Sequence, residues 1–344
     1  MNKRLPYLDI AKGMLILMVV LGHMPQVADI YSIHNPTFEF MRGASKLWVG
    51  FYMPAFFFIT GMCSNFRIPF ARFLVKNMKT LMLPSFTLMA LTVWINNVLK
   101  GTVNIVDYLS VGFSTFLKNG GVYWFLTALF FAKIIYWVVV KLIHSEKWQL
   151  VVFMFFMVLG TVCNNLLSFE PWYVYHTMTL VIFLFVGDLY GKNLTSSQPS
   201  ILLHRWVPSY GLGGGVLLYI FLIAVMIATS VKIPAITQRI NLTVVEIPIL
   251  LILSLSGTFM LILLSKAIGN CALINSIGRH TLVIYCLHVF FARVLFEHFR
   301  IFLNDSSYYG IIIGFLLVVA NVMLCYMMSF LLNTKYLKFL IGKF

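Results

Sequence analysis

Long apolar stretches follow one another along nearly the whole chain, separated by short polar connections. Near-uncharged runs such as 211–231 and 247–265 are about as long as the ~20 residues that a helix needs to cross the hydrocarbon core of a bilayer. A soluble helix of that length would carry charged residues between its apolar positions. The pattern therefore predicts membrane-spanning helices and not the core helices of a soluble domain.

The apolar pattern and the distribution of basic residues together predict an even number of spans. We predict ten spans, at 7–27, 47–66, 80–98, 121–140, 148–168, 177–191, 207–229, 246–265, 280–298 and 309–332. With the N-terminus inside, fifteen Lys and Arg residues fall in inside loops and seven in outside loops, as the excess of basic residues in cytoplasmic loops requires. The fold class predicted is an all-α, polytopic membrane bundle, a single domain with both termini cytoplasmic.

The first apolar stretch raises the question of a cleaved signal peptide. It is longer than a typical signal-peptide core, and it contains Asp9 and Lys12. It is also not followed by the small-residue pattern of a cleavage site. We therefore expect it to stay in the protein as the first span.

Composition supports a membrane protein and narrows its partners. Of 344 residues, 61% are apolar and 10% are charged, whereas soluble domains carry about 25% charged residues. The net charge of +15 is accounted for by the inside loops, so membrane lipids and no nucleic acid are the expected partners. The five cysteines and the acidic and histidine residues show no metal-ligand spacing, so no metal site is expected.

Two polar residues share one face of the first predicted span. Lys12 and His23 are separated by close to three helical turns, or about 16 Å of rise. A charge at mid-bilayer costs at least ~2.5–3.5 kcal/mol on insertion scales, so ionisable residues within spans are functional candidates. Alternatively, Lys12 extends to the inner headgroups and His23 to the outer ones. The spacing leaves both interpretations open.

The ninth span adds a second polar pair. Tyr285 and His288 are three residues apart and so lie on one helix face. His288 falls near the middle of the span, far from either headgroup layer. A hydrogen bond to a neighbouring helix is the structural alternative to a catalytic role. Arg293 and Glu297, near the outer end, are expected to pair with each other.

Two loops are candidates for binding substrates. On the inside, Arg67, Arg72, Lys76 and Lys79 concentrate positive charge, which topology alone explains but which a phosphate-bearing coenzyme A thioester would also need. On the outside, the segment 169–176 mixes a carboxylate, aromatic rings and an imidazole, a composition suited to binding a sugar ring. Aromatic belts at membrane interfaces produce similar sequences.

Several motifs together point to one family. Residues 7–13 read YLDIAKG and continue to His23 as a Lys12-x10-His pattern, residues 56–61 read FFFITG, residues 124–126 read WFL, and residues 278–288 read GRHTLVIYCLH. With these motifs and ten spans, the chain resembles the bacterial membrane acyltransferase-3 family. Within it, the chain is most similar to the sugar O-acetyltransferase branch of fucose 4-O-acetylase-like proteins.

The chain departs from the family pattern at two places. The family often carries an Arg-x-x-Arg pair shortly before a proline-terminated turn, and alignment on Pro84 puts Asn77 and Thr80 at those positions. Lys76 and Lys79 keep the spacing but lie one residue earlier. Tyr123 stands before the WFL motif, where a polar aromatic residue such as His is common.

The resemblance implies transfer of an acyl group, usually acetyl, from cytoplasmic acyl-CoA to a hydroxyl of an envelope glycan or its lipid-linked precursor, in the bacterial cell membrane. His23 would be the general base or a covalently acylated nucleophile, and the spacing does not separate the two. The other expected site residues are His288 and Tyr285 at the thioester, Lys12, Lys76, Lys79 and Arg279 at the phosphates of acetyl-CoA, and Glu170, Trp172 and Trp124 at the acceptor sugar.

Two other classes of protein are compatible with a polytopic bundle that holds buried polar residues. A transporter or flippase of a glycan precursor often has paired spans broken by Gly or Pro in corresponding halves, and we find no convincing pair. A non-catalytic membrane scaffold would leave the Lys12-x10-His23 pattern without a purpose.

Overall fold

The computed structural model describes residues 5–99, 123–167, 169–195, 209–237, 240, 242–304 and 308–343. Within these ranges the chain forms helices joined by short connections. The helices are α1 (Pro6–Ile30), α2 (Pro36–Ser45), α3 (Tyr52–Cys63), α4 (Phe70–Asn77), α5 (Leu83–Leu99), α6 (Trp124–Leu142), α7 (Glu146–Leu166), α8 (Val174–Thr195), α9 (Ser209–Ala228), α10 (Ile247–Ile268), α11 (Ala272–Arg279), α12 (Thr281–His298), α13 (Arg300–Leu303) and α14 (Tyr308–Leu332).

The predicted all-α membrane bundle is confirmed. Eight helices in the described parts of the chain are long and apolar enough to cross a membrane. The remaining two predicted spans, 47–66 and 207–229, coincide with the shorter apolar helices α3 and α9. Where the ten predicted spans fall on described residues, each contains a helix.

The second predicted span is shorter than expected. Helix α3 has 12 residues, or about 18 Å at 1.5 Å per residue, whereas the hydrocarbon core is about 30 Å thick. Residues 47–51 form turns, and the chain is extended at Ser64. An apolar run indicates that residues are kept from water, but it does not give the length of a helix. Residues 47–51 are therefore apolar without being helical.

The outer helices turn apolar side chains outward and polar ones inward. In α14, Phe315 and Val319 are exposed, whereas Asn321 and Ser329 are fully buried. Helix α1 occupies the interior, since Leu15 and Val19 have no exposed surface. Because lipid tails are as apolar as leucine, helices in a bilayer associate through close packing and polar contacts, and this distribution fits a lipid-facing bundle.

The closest helix contact relevant to the site joins α1 to α11. A Cβ added to Gly278 would overlap the carbonyl of Asp9, and one added to Gly13 would overlap the carbonyl of Ile274. The two backbones therefore touch directly, as small residues permit in membrane helices. Only His280 separates α11 from α12, so this contact also fixes where α12 starts relative to α1.

A second backbone contact joins α3 to α8. A Cβ on Gly61 would overlap the carbonyl of Leu184, and one on Gly187 would overlap the carbonyl of Phe58. Gly61 is the last residue of the FFFITG motif, so the motif serves close packing at this point. The two contacts thus join α11 to α1 and α8 to α3, and α1 also packs against α3.

We predict that Gly278→Ala destabilises the protein and that Gly43→Ala does not. The new methyl group at residue 278 would force α11 away from α1, at a cost of about 1–3 kcal/mol for overpacking. Gly43 lies in α2 with nothing within 4 Å of an added Cβ, so alanine should stabilise α2 by about 0.5–1 kcal/mol. The midpoint of thermal unfolding in detergent measures both effects, and equal midpoints for the two variants would contradict the packing.

Candidate active site

Two histidines from different helices meet inside the bundle. The imidazole rings of His23 in α1 and His288 in α12 lie 5.1 Å apart between centroids, in an edge-to-face arrangement. His288 is 2% exposed. The spacing of Lys12 and His23 predicted the helix face of His23, whereas the partner ring on α12 depends on the tertiary fold.

Backbone hydrogen bonds fix which nitrogen of each ring carries the proton. Nδ1 of His23 lies 2.8 Å from the carbonyl oxygen of Val19, and Nδ1 of His288 lies 2.8 Å from that of Tyr285. Carbonyl oxygens accept hydrogen bonds, so both Nδ1 atoms donate, and in the neutral rings both Nε2 atoms keep a lone pair. Nε2 of His288 is buried without a hydrogen-bond partner among the described residues. This atom is placed to accept a proton.

A cavity of about 300 Å³ lies on the inner side of the histidine pair, the side that the charge distribution assigns to the cytoplasm. Three of the predicted site residues, Lys12, Arg279 and Tyr285, line it. Its apolar walls are formed by residues of α1, α3 and α6: Ile16, Met53, Phe56, Ile59, Phe125, Leu126 and Leu129. The rings of Tyr285 and His288 are 6.2 Å apart, so one end of this inner cavity lies beside the pair.

A buried carboxylate holds the two cations of the inner cavity. Asp9 is 5% exposed, and its oxygens lie 4.0 Å from Nζ of Lys12 and 3.6 Å from Nε of Arg279. A carboxylate here both orients Lys12 and stabilises the start of the helix through the helix dipole. Its position in the first turn of α1 serves both, and the bridge to Arg279 depends on the α1–α11 contact.

Lys76 and Lys79 line a separate surface groove with Arg72, next to the inner cavity. Thr80 lines both the groove and the cavity, so the basic groove adjoins the space lined by Lys12 and Arg279. Between α4 and α5 the helix adopts a π-helical segment, Met78–Met82. A π segment accommodates one extra residue in a helix, often at functional sites. This matches the one-residue offset of the two lysines from the family pattern.

A third cavity, of about 320 Å³, lies on the outer side of the pair between α5 and α12. Its described lining includes Tyr123, Cys286, Val289, Arg293 and Glu297. The hydroxyl of Tyr123 donates to the carbonyl of Cys286 at 2.7 Å, and its ring lies 5.9 Å from that of Tyr285. Tyr123 and Tyr285 therefore stand between the outer and inner cavities, beside His288. The sequence signal for Tyr123 was its position before the WFL motif.

The outer end of this cavity carries two charged residues and a tyrosine, and the sequence did not show that the three line one cavity. Tyr31, just after α1, lines the cavity with Arg293 and Glu297. Burial raises the pKa of Tyr31, and the neighbouring Glu297 carboxylate, which accepts a hydrogen bond from the tyrosine, raises it further. Tyr31 therefore stays a neutral hydrogen-bond donor at neutral pH.

The predicted sugar-binding residues lie at the outer end of α6 and α8, where Glu170 and Trp124 both contact His176. Both oxygens of Glu170 lie within 2.8 Å of Nδ1 of His176, and Nε2 of His176 lies 2.9 Å from the carbonyl of Thr237. Trp124 is 5% exposed, with its ring 5.0 Å from His176. Trp172 is half-buried, and its ring packs 5.9 Å from Phe131. Sugar binding by these residues stays a prediction, since Glu170 and Trp124 are engaged with His176 in this conformation.

The chain matches the model of one known protein family. A comparison with curated proteins and one with solved structures gave no match. A family model described as an acyltransferase domain matches residues 5–330, which include the histidine pair and all three cavities except for Gly342 of the basic groove. The chain belongs to the acyltransferase-3 family of membrane acyltransferases.

Proposed function

We propose that this protein transfers an acetyl group from cytoplasmic acetyl-CoA to a hydroxyl of an envelope glycan or its lipid-linked precursor. The observation that carries the proposal is the His23–His288 pair, in which Nε2 of His288 has no hydrogen-bond partner among the described residues. The pair lies beside Tyr285 of the inner cavity, whose ring is near Tyr123 of the outer cavity. Family membership supports acyl transfer in general. The donor, the acceptor and the bacterial cell membrane as the location are part of the proposal.

The donor side is supported by charge. Acetyl-CoA carries phosphates, which Lys12 and Arg279 in the inner cavity and Lys76 and Lys79 in the adjoining groove would bind through charge-assisted hydrogen bonds. The thioester would extend along the apolar wall of the cavity to Tyr285. Asp9 keeps the two cavity cations in place and lowers their mutual repulsion.

The acceptor side is supported by the outer cavity. An acceptor hydroxyl entering past Tyr31 and Tyr123 would reach the histidine pair from the side opposite the donor. The mainly apolar walls between Met89 and Phe290 suit an acceptor that arrives from the membrane, such as a lipid-linked saccharide. The two substrates would then meet without either crossing the bilayer.

The chemistry follows from the protonation state of the rings. The Nε2 lone pair of a histidine of the pair takes the proton of the acceptor hydroxyl. At the same time the hydroxyl oxygen attacks the thioester carbonyl. The new C–O bond forms, the C–S bond breaks, and the imidazolium returns the proton to the leaving CoA thiolate. Because an imidazolium in the apolar interior is costly, the proton should stay on the ring only transiently.

We predict that His288→Gln lowers the rate of acetyl transfer by a factor of about 10²–10⁴, the usual contribution of a general base. His298→Gln is the matched control, because His298 lies on the same helix with the same kind of Nδ1 bond, 2.7 Å to Val294, but is exposed. Incorporation of labelled acetyl into envelope glycan by membranes of equal protein abundance measures both. A full rate for His288→Gln would remove His288 from the mechanism.

We predict that Lys12→Gln raises the KM for acetyl-CoA by about tenfold, which corresponds to about 1.4 kcal/mol, because one phosphate contact is lost. Lys12→Arg keeps the charge and should change KM less. Steady-state kinetics on purified protein in detergent separate KM from kcat. If Lys12→Gln left KM unchanged, the donor would bind elsewhere.

A further inference from the structure

A polar cavity lies at the inner end of α3, α6 and α8, apart from the proposed donor site. It has a volume of about 560 Å³ and shares no lining residue with the inner cavity or the basic groove. Its polar lining consists of Ser64, Asn65, Arg67, Lys141, His144, Asp188 and Lys192. Small-molecule sites in proteins commonly measure 300–1,000 Å³. The cavity is therefore large enough for a ligand and has no role in the mechanism above.

The floor of this cavity is a built polar network. The buried hydroxyl of Tyr136 donates to Oδ2 of Asp188 at 2.6 Å, and Nζ of Lys192 lies 2.7 Å from the same oxygen. The ring of Tyr136 packs 4.4 Å from Phe66, which lines the cavity. Asp188 is the one carboxylate among the described lining residues, and it is already engaged by these two partners.

The segments that carry the remaining cations, Arg67 and Lys141, are positioned by contacts that do not neutralise the two cations. Nζ of Lys141 lies 5.5 Å from the centre of the Trp137 ring, a cation–π contact. The backbone N–H of Arg67 donates to Oδ1 of Asn65 at 2.9 Å. Nε1 of Trp137 donates to the carbonyl of Ile68 at 3.1 Å, which ties the loop that carries Arg67 to α6. Three cations thus converge on a cavity with one carboxylate.

Membrane topology explains why these cations are on the inner side but not why they meet. Lys147 and Lys335 belong to inside loops as well, and neither lines this cavity. Arg67 lies in the loop after α3, whereas Lys141 and Lys192 lie near the ends of α6 and α8. The packing of these three helices brings the cations together. The excess of cations over carboxylates along this cavity favours an anionic ligand, and phosphoryl oxygens suit Arg and Lys donors.

We propose that this cavity binds a phosphoryl group, distinct from the donor coenzyme, through Arg67, Lys141 and Lys192. The phosphoryl group belongs either to the headgroup of an anionic inner-leaflet lipid or to a soluble phosphate compound. Leu142, which follows Lys141 in the chain, has an exposed apolar side chain, so apolar surface adjoins the cations at this end of α6.

The test is a ligand titration of the full-length protein in detergent, followed by the shift in its thermal unfolding midpoint. The probes are dioctanoyl phosphatidylglycerol, dioctanoyl phosphatidylcholine and inorganic phosphate. We expect a saturable shift with phosphatidylglycerol and none with phosphatidylcholine if the ligand is a lipid headgroup. A comparable saturable shift with inorganic phosphate would identify a soluble phosphate as the ligand.

The variants decide whether the shift comes from this cavity. Arg67→Gln combined with Lys141→Gln should weaken the apparent affinity by at least about tenfold, whereas Lys147→Gln, on an exposed lysine outside the cavity, should leave it unchanged. If the double variant does not fold, Lys141→Gln alone replaces it, because this side chain is exposed. We expect the single variant to lose affinity in the same direction, by a smaller factor. No saturable shift in the wild type, or equal affinity in the wild type and in the Lys141→Gln variants, would overturn the proposal.

Discussion

The direct contact between the backbones of α1 and α11 is the constraint on which the candidate site depends. Gly13 and Gly278 let the two helices touch, and that contact brings Arg279 to the Asp9 carboxylate beside Lys12. Because α12 follows α11 after a single residue, the same contact determines which residue of α12 faces His23. The ion pairs and the histidine pair are therefore two results of one packing arrangement.

The cost of charge in a bilayer explains how polar groups are distributed around this contact. Cations and the buried carboxylate lie toward the inner end, where the side chains of Lys12 and Arg279 are 30% and 52% exposed. Deeper in the bundle the polar groups are imidazole and phenol rings, which donate hydrogen bonds to backbone carbonyls. This arrangement puts the charged groups of the site at one end and groups that can exchange protons in its middle.

The sequence predicted the local features of the site better than the contacts between helices. Periodicity placed Lys12 and His23 on one face of a span. Each of the ten apolar runs contains a helix where it is described, and eight helices in the described residues are long enough to cross a membrane. The meeting of His23 with His288 joins residues far apart in sequence and depends on glycine contacts that no periodicity reveals. The π-helical segment after Asn77 was likewise not predictable, because its residues are ordinary helix formers.

Composition also could not distinguish groups that bind each other from groups left for a ligand. The segment around Glu170 has the residue types of a sugar site, but its carboxylate is hydrogen-bonded to His176. Nothing in the sequence indicated that these two residues of the segment would pair. In contrast, membrane topology explains why Arg67 and Lys141 are on the inner side, but not why both line one cavity. Whether a polar side chain is engaged is set by tertiary distances of a few ångströms.

The central claim is that the chain is an acyl-CoA-dependent acyltransferase whose reaction requires the histidine pair. Incorporation of labelled acetyl from acetyl-CoA into envelope glycan, compared between the wild type and His23→Ala at equal abundance in the membrane, tests it most directly. The account predicts clear incorporation by the wild type and its loss in the variant. Undiminished incorporation by His23→Ala would contradict the catalytic assignment, and no incorporation by the wild type would contradict the proposed reaction.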